Sequence, residues 1–302
     1  MPGLEPEVEI NTKSLIHFIS SPKLRAKNIM GSTHFIVVII LLVNFSSCLC
    51  VRLLNNNTFS QKSFAYALAT WYGDETGAGS GGACGWEDDV KYPPLSSMIS
   101  AGNANIFLNG KGSQILVQIF CNQPPYCSGK PITVTISDEC PGACNNVPFH
   151  FDLSGYAFGA MALPGQGHNL RQLGQVDVQF QSYIFYYSNK HLSYDRVPCY
   201  YRNTELAFKV QRNCNPYWFA TAIEYANGDG GFGYVEIAAG GSQNFVGMDN
   251  IWGTVWKKDI DPSFVGPFSF RLTSADGKIL VVQNVIPATF SPGYKYSSHV
   301  NF

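Results

Sequence analysis

The chain has no excess of charge of either sign. Lys and Arg number 20 and Asp and Glu 21 in 302 residues, a formal net charge of −1, and charged residues make up only 14%. A nucleic-acid binder needs a basic face, so the composition argues against that class. Metal and phosphate motifs are missing too. Cys121–Cys127 and Cys140–Cys144 do not have the paired C-x-x-C spacing of a zinc site, and His150 and His168 are not spaced as a zincin pair. The Gly-rich stretch "DETGAGSGGACGW" lacks the Lys and Ser/Thr of a phosphate-binding loop and reads as a surface loop. "GDGGFG" has too few oxygen ligands for a calcium loop and reads as a hairpin turn, and no G-x-S-x-G elbow is present. No metal and no cofactor is expected. Beyond Cys50 no run is long and apolar enough to span a bilayer.

What is present is β-forming. Aromatics are 14%, with 29 Gly and 17 Pro, and clusters of Val, Ile, Thr, Tyr and Phe recur between turn residues. The length suits two domains, each with a core. Near the start, "HFIVVIILLVNF" has the length of a signal-peptide apolar core, with Lys23, Arg25 and Lys27 upstream. Met30 is the more ordinary start for such a leader. Residues 1–29 are therefore expected to be a gene-model extension, 30–50 the signal peptide and 51–63 a linker. Secretion favours disulfides, and of nine Cys seven lie beyond the leader: Cys84, Cys121, Cys127, Cys140, Cys144, Cys199 and Cys214. Asn56 begins an N-glycosylation acceptor sequence in the polar linker.

From residue 64 to 181, "FAYALATWYG" and "GQVDVQFQ" alternate as strands, "SQILVQIFC" and "PITVTISDEC" are β-rich runs between turn residues, and "DLSGYAFGAMA" has the small residues of a short helix. Residues 182–195, aromatic and without a clear period, read as an atypical insertion. From 196 to 302, short strands at regular spacing predict an all-β sandwich. Asp138 ends one strand. His150 and Asp152 lie two apart and so share a face of an extended chain. Two carboxylates at a suitable separation can cleave a glycosidic bond, although an Asp before a helix is also an ordinary cap. Trp218, Phe245, Trp252 and Trp256 offer aromatic rings that stack on sugars or fill a core. Trp252 and Trp256 share a face if their strand is regular, with at least one of them in the core. Phe245, in "GSQNFVGMDN", reads as exposed.

The motifs "ATWYG", "GGACGW", "ISDECPG", "HFDLSGYAFGAMA", "GPFSFRLTS", "NVIPA" and the terminal "VNF" occur in an order that resembles the plant expansins, most closely the β-expansins. The resemblance implies a six-stranded double-psi β-barrel, similar to family-45 endoglucanases, followed by an immunoglobulin-like β-sandwich that binds polysaccharide. It implies a groove carrying Thr70, Tyr72, Asp138 and Asp152, with Asp152 at the general-acid position, His150 beside it, and Trp218 and Phe245 as exposed aromatics of the second domain. The endoglucanases' catalytic base has no equivalent in expansins. The implied function is wall loosening on cellulose, xylan or other matrix glycans without hydrolysis, by a secreted monomer in the plant cell wall. The alternatives are a weak endoglucanase or transglycosylase using Asp152 as acid, and a wall-binding protein with an impaired barrel. The chain also departs from the family. Ser113 and Leu116 stand where expansins carry cysteines, the usual disulfide partners of Cys84 and Cys199. Of the family's bridges, Cys121–Cys127 is the one that looks intact.

Overall fold

The structure, a computed structural model, describes residues 62–78, 82–185, 193–195 and 199–302. The expected leader, Cys48, Cys50, Asn56 and the linker as far as residue 61 lie outside the described residues.

The first domain is built from β1 (Lys62–Tyr72), β2 (Ile99–Gly102), β3 (Leu116–Phe120), β4 (Ile132–Glu139), β5 (His150–Ser154) and β6 (Gln175–Phe185). The strand order is β1-β5-β2-β4-β3-β6, and β6 returns to pair with β1, so the sheet closes into a six-stranded barrel. Closure removes the exposed edges that an open sheet would carry. The seam is antiparallel, from the Lys62–Tyr183 pair to the Thr70–Gln175 pair. β1–β5 and β2–β4 are parallel pairs, which require long crossovers rather than hairpins. Alternate residues fill the barrel: Val134 and Ile136 from β4, and Phe151 and Leu153 from β5, pack with Trp86, Ile119 and Phe158.

The small apolar run after β5 is a helix, Gly155–Ala160, capped by Ser154, whose Oγ accepts from the Ala157 backbone N–H at 3.0 Å. A Cβ at Gly155 would meet the Asp74 carbonyl oxygen at 2.2 Å, so glycine lets the helix start directly against the loop that follows β1. The segment read as an insertion continues the barrel. β6 runs on through Phe185, and β7 (Ser193–Asp195) pairs antiparallel with its end, Tyr183 opposite Asp195.

The second domain has β8 (Ala207–Val210), β9 (Trp218–Glu224), β10 (Phe232–Ala238), β11 (Val246–Gly247), β12 (Asp249–Trp252), β13 (Val255–Asp259), β14 (Phe268–Ser274), β15 (Ile279–Ile286) and β16 (Lys295–Ser297). They form a five-stranded sheet, β12-β13-β9-β8-β16, and a four-stranded sheet, β11-β10-β14-β15. In β14, Phe268, Phe270 and Leu272 point into the core, while Arg271 and Thr273 on the opposite face are partly exposed and Ser269 is buried there. Phe208 stacks on Phe270 at 4.6 Å and Phe219 tilts onto Phe268 at 4.8 Å, which joins the two sheets. "GDGGFG" is not a hairpin turn. β9 and β10 belong to different sheets, so Gly228–Gly231 carries the chain from one sheet to the other, with Gly228 bridged to Cys199.

The outer face of the five-stranded sheet meets the barrel. Ala207, Ala220, Ala222 and Val255 belong to the same buried cluster as the barrel's Trp86, because small side chains let the two domains approach closely. Polar contacts fix the approach. Trp86 Nε1 donates to Thr254 Oγ1 at 2.9 Å, and Gln114 Nε2 donates to the Ile223 carbonyl at 2.9 Å. At one side, Lys209 Nζ lies 2.8 Å from Asp89, and Lys295 Nζ lies 3.4 Å from Asp89 and 3.3 Å from Glu224. The Glu224 side chain is fully buried and its Oε1 has no hydrogen-bond partner. Burial pushes its carboxyl up to about 7, against the opposing pull of Lys295.

Candidate functional site

Register builds the site. Thr70 on β1 pairs with Asp152 on β5, Asp152 pairs with Ala101 on β2, and Ala101 pairs with Asp138 on β4. Both carboxylates therefore lie in one row across the barrel wall, two strands apart, roughly 10 Å at the backbone. An irregularity in the β2–β4 register, between Ser100 and Ala101, brings Asp138 into that row.

Thr70 links the predicted acid to the predicted histidine. Its Oγ1 donates to Asp152 Oδ1 at 2.6 Å and lies 2.8 Å from His150 Nε2. Thr70 has one proton to give. When that proton goes to Asp152, Nε2 of His150 must be the protonated ring nitrogen, donating to Thr70. His150 Nδ1 is buried with no hydrogen-bond partner, which fits a bare nitrogen better than a second N–H. Burial also holds the His150 pKa below its usual range, against the opposing charge of Asp152, and so favours the neutral ring. Burial raises the Asp152 carboxyl above the usual carboxylate range. The Thr70 bond and His150 oppose that rise, and the charge of Asp138 adds to it. The Tyr72 phenol, at the end of β1, is held well above its usual range by burial and then by Asp138 and Asp152, so it remains a donor.

Asp138 has a different task. Its Oδ1 accepts the backbone N–H of Ala83 at 2.6 Å and of Glu139 at 2.8 Å. It pins the loop after Gly82, where a Cβ would meet the Ser137 carbonyl at 2.7 Å. The two backbone N–H groups give Oδ1 of Asp138 a structural role in holding that loop. Cys140–Cys144 is a disulfide, with Cys140 Sγ 3.9 Å from Asp152 Oδ2. Cys121–Cys127 is the second disulfide. Cys84 is a buried thiol that donates to Ser113 Oγ at 2.6 Å, and Cys199 Sγ lies 3.1 Å from the Gln114 carbonyl.

The aromatic residues divide between faces. Trp218 pairs with Asp259, on the outer face of the five-stranded sheet, and packs against the barrel's cluster. Phe245 lies on the other side of the sandwich, beside β11, with the Arg271 guanidinium 4.8 Å above its ring. Trp218 and Phe245 therefore do not form one platform. Nor do Trp252 and Trp256 share a face. Gly253, with φ of +47°, turns the chain between β12 and β13, which leaves Trp252 45% exposed and Trp256 buried. Trp252 pairs with Val255, which puts it on the same outer face as Trp218, roughly 16 Å away at the backbone. Its Nε1 sits 3.2 Å from where a Gly85 Cβ would be, so the loop pinned by Asp138 leads from the carboxylate row to Trp252. The Gly that follows Trp252 was the one available signal in the sequence for this placement.

Comparison with known proteins agrees with this architecture. The family model described as Lytic transglycolase matches residues 99–180, and the Expansin C-terminal domain model matches residues 206–287. Expansin-B6 of Arabidopsis thaliana is 43% identical over 272 residues, covering 89% of this chain and 97% of that protein. Expansin-B4 of the same plant is 42% identical over 273 residues, covering 89% and 98%. A solved mutant expansin of Clavibacter michiganensis, in complex with cellohexaose, superposes with a TM-score of 0.56 at 17% identity, over 78% of this chain and 96% of that one. With the closed barrel, the sandwich and these relatives together, the chain belongs to the expansin family, among the β-expansins.

Proposed function

We propose that this protein loosens plant cell walls by gripping cellulose and matrix glycans and weakening the adhesion between them, without cleaving bonds. The observation that carries the reading is the inequality of the two carboxylates. Asp152 is a half-buried acid with an ordered donor, Thr70, while Asp138 spends Oδ1 on the backbone of its own loop. General acid catalysis without a base or nucleophile leaves a glycosidic bond uncut. Thr70, Tyr72, His150 and Asp152 instead present hydrogen-bonding groups to sugar hydroxyls. Trp252 and Trp218 extend the contact along the sandwich by stacking. The protein acts outside the cell, in the wall, as a monomer and without a cofactor. Among the described residues no helix is long and apolar enough to cross a membrane.

The second reading is a weak endoglucanase or transglycosylase with Asp152 as acid, favoured by the raised pKa of that carboxyl. One experiment separates the two. Purified protein is applied to acid-pretreated wall strips under load, and extension and reducing-end release are measured for the parent and for Asp152→Asn. Extension with no sugar release supports the first reading. Sugar release that disappears in Asp152→Asn overturns it.

A further inference from the structure

A cavity of about 410 Å³ lies at the junction of the two domains, apart from the carboxylate row. Asn109, Lys111 and Gln114 of the barrel form one wall, and Gly230–Gly233, Asn250, Gly253 and Ala275 form the others. The cavity exists because the domains touch here through glycines. A Cβ at Gly110 would come within 2.9 Å of the Gly253 nitrogen, and one at Gly230 within 3.4 Å of the Gln114 carbonyl oxygen. Only backbone fits at those points, and a hollow remains beside them.

The lining has a definite chemistry. Lys111 is its one charged residue, and no carboxylate lines it. Among the described residues the Lys111 ammonium enters no ion pair, while most other lysines of the sandwich and junction are matched with an acid. Asn109 and Asn250 contribute side-chain amides. Asn250 Nδ2 donates to the Gly253 and Val255 carbonyls, which fixes the amide and leaves Oδ1 free to accept. Phe232, half-buried, supplies apolar ring surface, and the buried Trp256 presents only an edge. An unmatched cation, neutral amides and aromatic wall in a hollow of this size suit a small anion with hydroxyls and an apolar face.

We propose that this cavity is a second glycan site, which takes one carboxylate-bearing sugar unit. Lys111 meets the carboxylate, the two Asn side chains meet hydroxyls, and Phe232 flanks the ring. The proposal rests on the reading that the protein works among wall glycans, but it uses none of the groove residues. A site here clamps a charged branch of one polymer while the groove holds another.

The test is NMR titration of the full chain with methyl β-glucuronide, and with methyl β-glucoside as the uncharged comparison. The expected result is that glucuronide shifts the amides of Lys111, Gly231 and Gly233 and leaves those of Thr70 and Asp152 in place. Lys111→Met should weaken glucuronide binding about ten-fold, as the loss of one charge-assisted contact implies. Ala275→Leu, which fills the hollow from an exposed position, should abolish it. The glucoside should bind at least about five-fold more weakly than the glucuronide. No shifts at the cavity, equal binding of the two sugars, or unchanged affinity in Lys111→Met overturns the proposal. Cellohexaose titrated into the same variants reads the groove separately, so failure of the cavity site is distinct from failure of the groove.

Discussion

The substitution Ser113→Cys is expected to close a disulfide onto Cys84. Cys84 Sγ already lies 2.6 Å from Ser113 Oγ, both residues are buried, and they are 29 positions apart. Cross-linking a loop of that length removes chain entropy from the unfolded state worth about 3.5 kcal/mol at room temperature. For a domain pair of this size that is an upper bound of roughly 7–14 °C in Tm. Strain and the lost hydroxyl bond will reduce it. Burial pushes the Cys84 thiol well above its usual range, so it is a poor nucleophile once folded. The bridge should therefore form during oxidative folding rather than by later treatment with an oxidant. Thiol counting on the unfolded protein, peptide mapping without reductant, and thermal melts with and without reductant provide the assay. The expected variant has one thiol fewer than the parent, a cross-linked peptide joining Cys84 to the new thiol of Ser113→Cys, and a Tm gain that reduction removes. One thiol more than the parent and no gain would refute the placement of Cys84 against Ser113.

Glu224→Gln should flatten the pH dependence of stability. The folded carboxyl is raised to about 7 and the unfolded one titrates near 4.5, so its contribution is complete below pH 4.5 and is lost as pH rises through 7. Denaturant melts should show the variant matching the parent at pH 4.5 and exceeding it by up to about 3 kcal/mol at pH 8. An unchanged difference between the two pH values would count against a buried, titrating Glu224. Thr70→Val removes the hydroxyl that donates to Asp152, and that bond favours the carboxylate. The Asp152 pKa should therefore rise further, as read by carboxyl carbon NMR; a fall would show that Thr70 does not donate to it. Trp252→Ala should lower retention on cellulose roughly three- to ten-fold, the loss of one stacked ring, while Phe245→Ala should change it less. The reverse order would place the binding face on the four-stranded sheet.

Local pattern carried much of this protein. Alternation in "FAYALATWYG" and "GQVDVQFQ", and β-forming runs such as "PITVTISDEC" and "FSFRLTS" set between turn residues, marked strands whatever they pair with. The ordered motifs identified the family, and the two-residue spacing of His150 and Asp152 put them on one strand. What each group does depended on partners distant in the chain. Thr70 reaches Asp152 across 82 positions, and Asp138 reaches the Ala83 N–H across 55. Only barrel closure and the register of four strands bring these together, and no local period encodes them. The same holds for the aromatics. Gly253 separates Trp252 from Trp256, and the assignment of β9 and β10 to different sheets parts Trp218 from Phe245.

By itself, then, the sequence determined the strands and the family, because side-chain period and motif order are properties of the chain. The tertiary structure decided which carboxylate oxygen is held by backbone, which rings share a face and which lysines meet an acid, because burial and pairing are set by neighbours that the chain meets only on folding.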